Sequence, residues 1–141
     1  MSDVPVQDNR GPLGFLGGSF DPVHIGHLRG AMDVREALNL ARVDLIPAAQ
    51  SPLKSETTLT GTHRLAMLEL AICDVPGLSV DAQELGRAAP SFTIDTLEAL
   101  RAQHGAKRTL VWIIGSDSLA TLPRGARWRE LLSLDHVAVL D

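Results

Sequence analysis

The sequence predicts an α/β fold, a parallel sheet with helices on both faces. Three observations predict it. Strand-like and helix-like stretches alternate throughout residues 13–141. The strand-like run Thr109–Ile114 is apolar from Leu110 onward, without alternation, as expected when helices cover both faces of a sheet. Two strand-like runs pass directly into glycine turns, Gly17-Gly18-Ser19 and Gly115-Ser116, each followed by helix-like sequence. In open parallel sheets ligands bind at such carboxyl-end turns, where the strand order reverses.

The elements follow in order. Leu13–Gly17 reads as the first strand, and Gly26–Leu40 as a helix with Ala31, Val34, Ala37 and Leu38 on its buried face. Val43–Ile46 is a short strand ended by Pro47. The polar stretch Ala48–Leu59 lacks periodicity and is long for a connection, which marks a functional loop. Thr60 is placed to cap a helix whose apolar stripe is Leu65, Leu68, Ala71 and Ile72, and Pro76-Gly77 stops it. Leu78–Val80 is a third strand and Gly86–Pro90 a loop. Thr93 is placed to cap a helix that buries Leu97 and Leu100 and ends at Gly105. After Thr109–Ile114 and its turn, Trp128–Leu134 reads as a helix and His136–Leu140 as the last strand. The whole is a Rossmann-like parallel sheet. If the first and fourth strands are neighbours, their two glycine turns face one cleft.

With 141 residues, 45% of them hydrophobic, the chain suits one domain with a real core over 13–141, preceded by a flexible tail at 1–12. A net charge of −4 excludes a general basic surface for nucleic acid or an anionic membrane. No apolar run is long enough to span a bilayer. The polar N-terminal stretch is not a signal peptide. The single cysteine, Cys73, has no partner for an internal disulfide, which fits a reducing, cytoplasmic setting.

The chemistry centres on Gly17-Gly18-Ser19-Phe20-Asp21-Pro22-Val23-His24-Ile25-Gly26-His27. A strand, a glycine turn and a helix start aim backbone N–H groups and the positive end of a helix dipole at one spot, which suits phosphate. His24 at the helix entry and His27 in its first turn are spaced to face the same way. Gly26 between them adds no side chain. The stretch is neither the dinucleotide fingerprint, whose third glycine is absent, nor a P-loop, since no Gly-Lys-Ser/Thr follows. A structural zinc site is not expected, because His63, His104 and His136 are scattered, read as surface residues, and offer no four-ligand cluster.

Gly17–Leu28 closely resembles the (H/T)xGH signature of the nucleotidylyltransferase superfamily, and within it looks most like nicotinate mononucleotide adenylyltransferase. The resemblance extends over nearly all of 13–141. It implies transfer of an adenylyl group from ATP, with its Mg²⁺, to nicotinate mononucleotide, giving deamido-NAD and pyrophosphate in NAD biosynthesis. His24 and His27 would then hold the phosphates, and Gly17, Gly18, Ser19 and Phe20 would line the turn. In the segment resembling the family's Pro-Pro-His-Lys, here Ser51-Pro52-Leu53-Lys54, Lys54 would add a cation. Thr93, in Pro90-Ser91-Phe92-Thr93, matches the residue that contacts the nicotinate carboxylate. Gly115 and Asp117, in Ile114-Gly115-Ser116-Asp117-Ser118, match the turn that borders the nucleotide. His63–Leu68 resembles the family's second helix and is read as structural.

Two departures stand out. Gly125 occupies the position where the family carries an aromatic residue near the nicotinate ring, leaving Trp128 as the remaining aromatic. The chain also stops at Asp141, before the family's Ile-Ser-x-Thr-x-x-Arg segment, so that a fragment and a reduced member are both expected readings. Two rivals stay open: a pantetheine-phosphate or CTP-dependent transferase of the same superfamily, and a nucleotide-binding module without turnover. No metal ligand set, nucleic acid or membrane partner is expected, and the sequence leaves a homo-oligomer open.

Overall fold

The computed structural model describes residues 11–49, 60–86, 93–116 and 128–140. Five parallel strands form one sheet: β1 (Leu13–Gly18), β2 (Arg42–Pro47), β3 (Leu78–Val80), β4 (Leu110–Gly115) and β5 (His136–Leu140), in the order β3-β2-β1-β4-β5. The chain winds outward from β1 to β3, then returns to the other side of β1 for β4 and β5. The order therefore reverses between β1 and β4, whose carboxyl ends lie side by side, as the two glycine turns require.

Burial follows the pleat. On one face Leu16, Val43, Leu45, Val111 and Ile113 pack against α1 (Ile25–Ala37) through Ala31 and Val34, and against α2 (Gly61–Ile72) through Leu68 and Ile72. On the other face Leu13, Phe15, Ile46, Leu110, Trp112 and Ile114 pack against Ile94, Leu97 and Leu100 of α3 (Thr93–His104). Leu134 of α4 (Trp128–Leu134) joins that second cluster. Successive residues of β4 alternate between the clusters and all five apolar ones are buried, which is why the run carries no polar alternation.

Several boundaries differ from expectation. α1 stops at Ala37, not Leu40, because Asn39 takes a left-handed backbone (φ 54°) and Leu40 N–H bonds to Arg35 C=O at 2.9 Å. This six-to-one bond closes a Schellman cap. Ala37 and Leu38 are consequently exposed, and Leu40, beyond the cap, takes the buried place (4% exposed). In α2 the buried stripe is Arg64, Leu68 and Ile72, with Leu65 and Ala71 only half-buried. Pro47 stays within β2, paired with Gly18, because the last rung does not need its missing N–H. Thr60 is the N-cap of α2, its side chain accepting from His63 N–H at 3.2 Å. Thr93 is the first helical residue of α3, not its cap, so the cap position falls outside the described residues. Gly105 (φ 90°) closes α3 as expected.

Gly11 and Pro12, assigned by the sequence to the tail, are tied to the body: Arg108 Nε–H donates to Gly11 C=O at 2.7 Å, and Ala41 N–H to Pro12 C=O at 2.7 Å. His104 is not a surface residue. It is half-buried beside Phe15, and burial, then the charges of Arg108 and Arg42, lower its pKa. No helix among the described residues is long and apolar enough to cross a membrane.

Candidate functional site

The site grows from the turn between β1 and α1. Gly17, next to last in the strand, lies where space is short: a Cβ there would lie 3.0 Å from the Trp112 ring. Gly18 lies against the ring of Phe20, and Ser19 is exposed at the crest. Phe20 then reverses the chain with φ 49°, a conformation that costs a non-glycine residue on the order of 1–3 kcal/mol unless its surroundings enforce it. Its ring is 2% exposed and packed into the core, which holds the turn in place.

The chain next enters α1, with His24 as N-cap and His27 as the third helical residue. Each imidazole caps the helix. Gly26 N–H donates to His24 Nδ1 at 3.1 Å, and His24 N–H donates to His27 Nδ1 at 3.0 Å. This is a capping box built from two histidines, where serine and glutamate usually serve. The rings stack with centroids 3.7 Å apart, and the Phe20 ring meets His27 edge-on at 4.9 Å.

This geometry fixes protonation. Because each Nδ1 accepts a backbone N–H, each neutral ring carries its proton on Nε2. Burial, and secondly the neighbouring His24, lower the pKa of His27, which keeps it neutral at pH 7. The pair therefore presents two Nε2–H donors at a helix N-terminus, an arrangement suited to phosphate oxygens. Gly26 is needed for a reason beyond open access: a Cβ there would lie 3.0 Å from Cε1 and Nδ1 of His24, where the ring must fold back to cap.

A contributor that sequence reasoning missed comes from α2. Arg64 is 3% exposed, and its Nη1 donates to Ser19 C=O at 2.7 Å and to Ala48 C=O at 2.9 Å. Ala48 N–H in turn bonds to Gly18 C=O at 2.8 Å, so the exits of β1 and β2 are stitched together. A second connection lies on the α3 side, where Thr96 Oγ1 donates to Glu84 Oε2 at 2.6 Å, both residues buried. It ties the first turn of α3 to the 3-10 turn Gln83–Gly86 that follows β3.

The remaining expected residues are distributed as follows. Gly115 is exposed at the carboxyl end of β4, next to the β1 turn in sheet order. Thr93 is half-buried at the start of α3. Trp128 begins α4, and its side chain lies outside the described residues, as do Lys54, Asp117 and Gly125. Among the described residues no group of three or more His, Cys, Asp and Glu is placed to hold a metal ion.

A family model described as cytidylyltransferase-like matches residues 15–141. A protein of Laribacter hongkongensis named probable nicotinate-nucleotide adenylyltransferase is 46% identical over 127 residues, covering 90% of this chain and 58% of the relative. One of the same name from Aeromonas salmonicida is 48% identical over 130 residues, covering 92% and 60%. The chain thus spans about three fifths of the length of the relatives it matches. Among solved structures, the nicotinic acid mononucleotide adenylyltransferase of Plasmodium falciparum complexed with NaAD superposes with a TM-score of 0.75 at 18% identity, over 92% of this chain and 64% of that one. At that identity the likeness speaks for the fold.

Proposed function

The chain belongs to the cytidylyltransferase-like family, and on that premise we propose that it transfers an adenylyl group from ATP to nicotinate mononucleotide, giving deamido-NAD and pyrophosphate. The observation that carries the proposal is the histidine capping box, which leaves two Nε2–H donors at the helix start beside the switch point of the sheet. The names of the relatives at 46–48% identity supply the acceptor.

In this reading a phosphate oxygen of nicotinate mononucleotide attacks the α-phosphorus of ATP. The bond from that phosphorus to the bridging oxygen breaks, and the electron pair leaves with pyrophosphate. No covalent enzyme intermediate is needed, so the protein's work is positioning and charge stabilisation. His24 and His27 donate to the transferring and departing phosphates. Gly17, Gly18, Ser19 and Phe20 shape the wall that admits them, with backbone N–H groups of the helix start alongside. Lys54 adds a cation, Gly115 and Asp117 border the nucleotide, Thr93 receives the nicotinate carboxylate, and Trp128 is the aromatic assigned to the pyridine ring. Mg²⁺ would enter as part of the substrate, bound to the triphosphate.

The test is pyrophosphate release by the complete gene product with ATP and Mg²⁺ across a panel of acceptors. Release that depends on nicotinate mononucleotide supports the reading. Release with pantetheine phosphate instead, or with CTP in place of ATP, would assign it to another branch. ATP binding with no release for any acceptor would make it a binding module.

A further inference from the structure

We propose that Arg64 is a positioning residue, which locks the exits of β1 and β2 together and thereby fixes where His27 stands. The inference rests on the reading of the β1–α1 turn as the phosphate site. Its geometry is independent of that reading.

Arg64 sits in the first turn of α2, 45 residues from Ser19 and 16 from Ala48, yet one of its nitrogens binds both carbonyls. Among the described residues no carboxylate pairs with it. A guanidinium that is 3% exposed and, among the described residues, balanced only by carbonyl dipoles is costly to bury. Filling the space would need only a leucine or methionine, as Leu68 and Ile72 do one and two turns further along the same stripe. The position next to the turn gives the charge a purpose.

The contacts form a short chain. Arg64 holds the carbonyl of Ser19, which is the peptide leading into Phe20. Phe20 is the residue with the left-handed backbone, φ 49°, and such a conformation persists only where neighbours over-determine it. Its buried ring secures one side of the turn, and Arg64 secures the other. The same ring stands edge-on to His27. Releasing Ser19 lets the Phe20 turn relax, and His27 loses the surface against which it is set. Because Ala48 opens the Ala48–Leu59 stretch, the same release also removes the Arg64 bond to its first carbonyl and leaves the Ala48 N–H to Gly18 C=O bond in place.

The test reads the ligand-free protein by NMR. In the wild type the ring protons of His27 are expected to carry a ring-current shift from Phe20, whose ring centroid lies 4.9 Å away. Arg64→Met, unbranched and apolar but without donors, is expected to lose most of that shift. Arg64→Lys is expected to retain part of it, since both bonds come from a single nitrogen. Leu68→Ala, buried in the same helix, is the control: it lowers the melting temperature and leaves the His27 resonance in place. In turnover, Arg64→Met should lower kcat by roughly tenfold to a hundredfold, the scale of a displaced catalytic group, with partial recovery in Arg64→Lys. If Arg64→Met does not fold, Arg64→Gln, polar but too short to reach both carbonyls, gives the same reading. An unchanged His27 resonance in these variants, or an equal change in Leu68→Ala, overturns the proposal. The expected resonances in a protein that turns over no acceptor would leave Arg64 as a positioning residue and remove the proposed activity.

Discussion

His24 and His27 lie ring on ring, centroids 3.7 Å apart, and each gives its Nδ1 to a backbone N–H of the same helix start. A pair of imidazoles this close tolerates little charge, and the caps leave no acceptor free on the Nδ1 side. The first prediction follows. Ring nitrogen shifts should report His27 neutral at pH 7 with the proton on Nε2, and His27 should titrate below its ordinary 6.5, from burial first and His24 second. Because its folded pKa lies below the unfolded one, its contribution to stability is complete above about pH 6.5 and declines as pH falls through that value toward the folded pKa. Phosphate binding should weaken on the same acid limb, since a proton on Nδ1 breaks the cap.

Gly26→Ala tests the cap sterically. The added Cβ would stand 3.0 Å from the His24 ring, so the ring must move by a few tenths of an ångström and its bond to Gly26 N–H weakens. Loss of a helix cap costs about 1 kcal/mol. Calorimetric titration should show ATP binding weakened by roughly fivefold, with the far-ultraviolet dichroism unchanged. Tighter or unaltered binding would mean that the His24 ring is not held by this contact.

Asp135, between α4 and β5, makes a prediction away from the site. Its Oδ1 accepts from His136 N–H at 3.0 Å, while the buried Oδ2 has no partner among the described residues. Burial raises its pKa from 3.8 to about 7, against smaller opposing effects of the His136 bond and of Arg101. The protonated form is therefore the one that favours the fold: its contribution is full below pH 3.8 and is lost as pH rises through 7. Asp135→Asn keeps the shape and removes the ionisation. Thermal melts should find the variant more stable at pH 8, by on the order of a few kcal/mol at about 1.4 kcal/mol per unit, and the difference should close toward pH 4.

Asn39 holds the left-handed position of the α1 cap at φ 54°. Glycine adopts this conformation without Cβ strain. Asn39→Gly should raise stability by up to about 1 kcal/mol and Asn39→Ala should lower it by a similar amount, read as a shift in the urea midpoint at constant slope. A destabilised Asn39→Gly would point to a bond from the Asn39 side chain that the glycine forfeits.

What local pattern determines was readable in the chain. The Leu110–Ile114 run announced a strand covered on both faces, and the spacing of His24 and His27 announced two rings on one side of a helix start. Those rings serving as the helix's own caps was harder to read, because imidazole is an uncommon cap and its role depends on a bond of 3.0 Å, not on spacing. Leu38 and Leu40 exchange places because a left-handed Asn39 interrupts a period that would otherwise run on. Arg64 was invisible for a different reason. It lies in a helix with an ordinary apolar stripe, and its partners, Ser19 and Ala48, are backbone carbonyls, which leave no trace in side-chain pattern. Thr96 and Glu84 pair across 12 residues in the same unsignalled way.

The central claim is that the histidine-capped turn presents ATP's α-phosphorus to nicotinate mononucleotide. Its most direct test follows a label placed on the α-phosphate of ATP, incubated with Mg²⁺, nicotinate mononucleotide and the complete gene product. The label is expected to pass into a dinucleotide, one equivalent per pyrophosphate released, and His27→Ala to slow the transfer by on the order of a hundredfold or more while ATP still binds. Label that remains in ATP while ATP is bound, or transfer at an unaltered rate in folded His27→Ala, would contradict it.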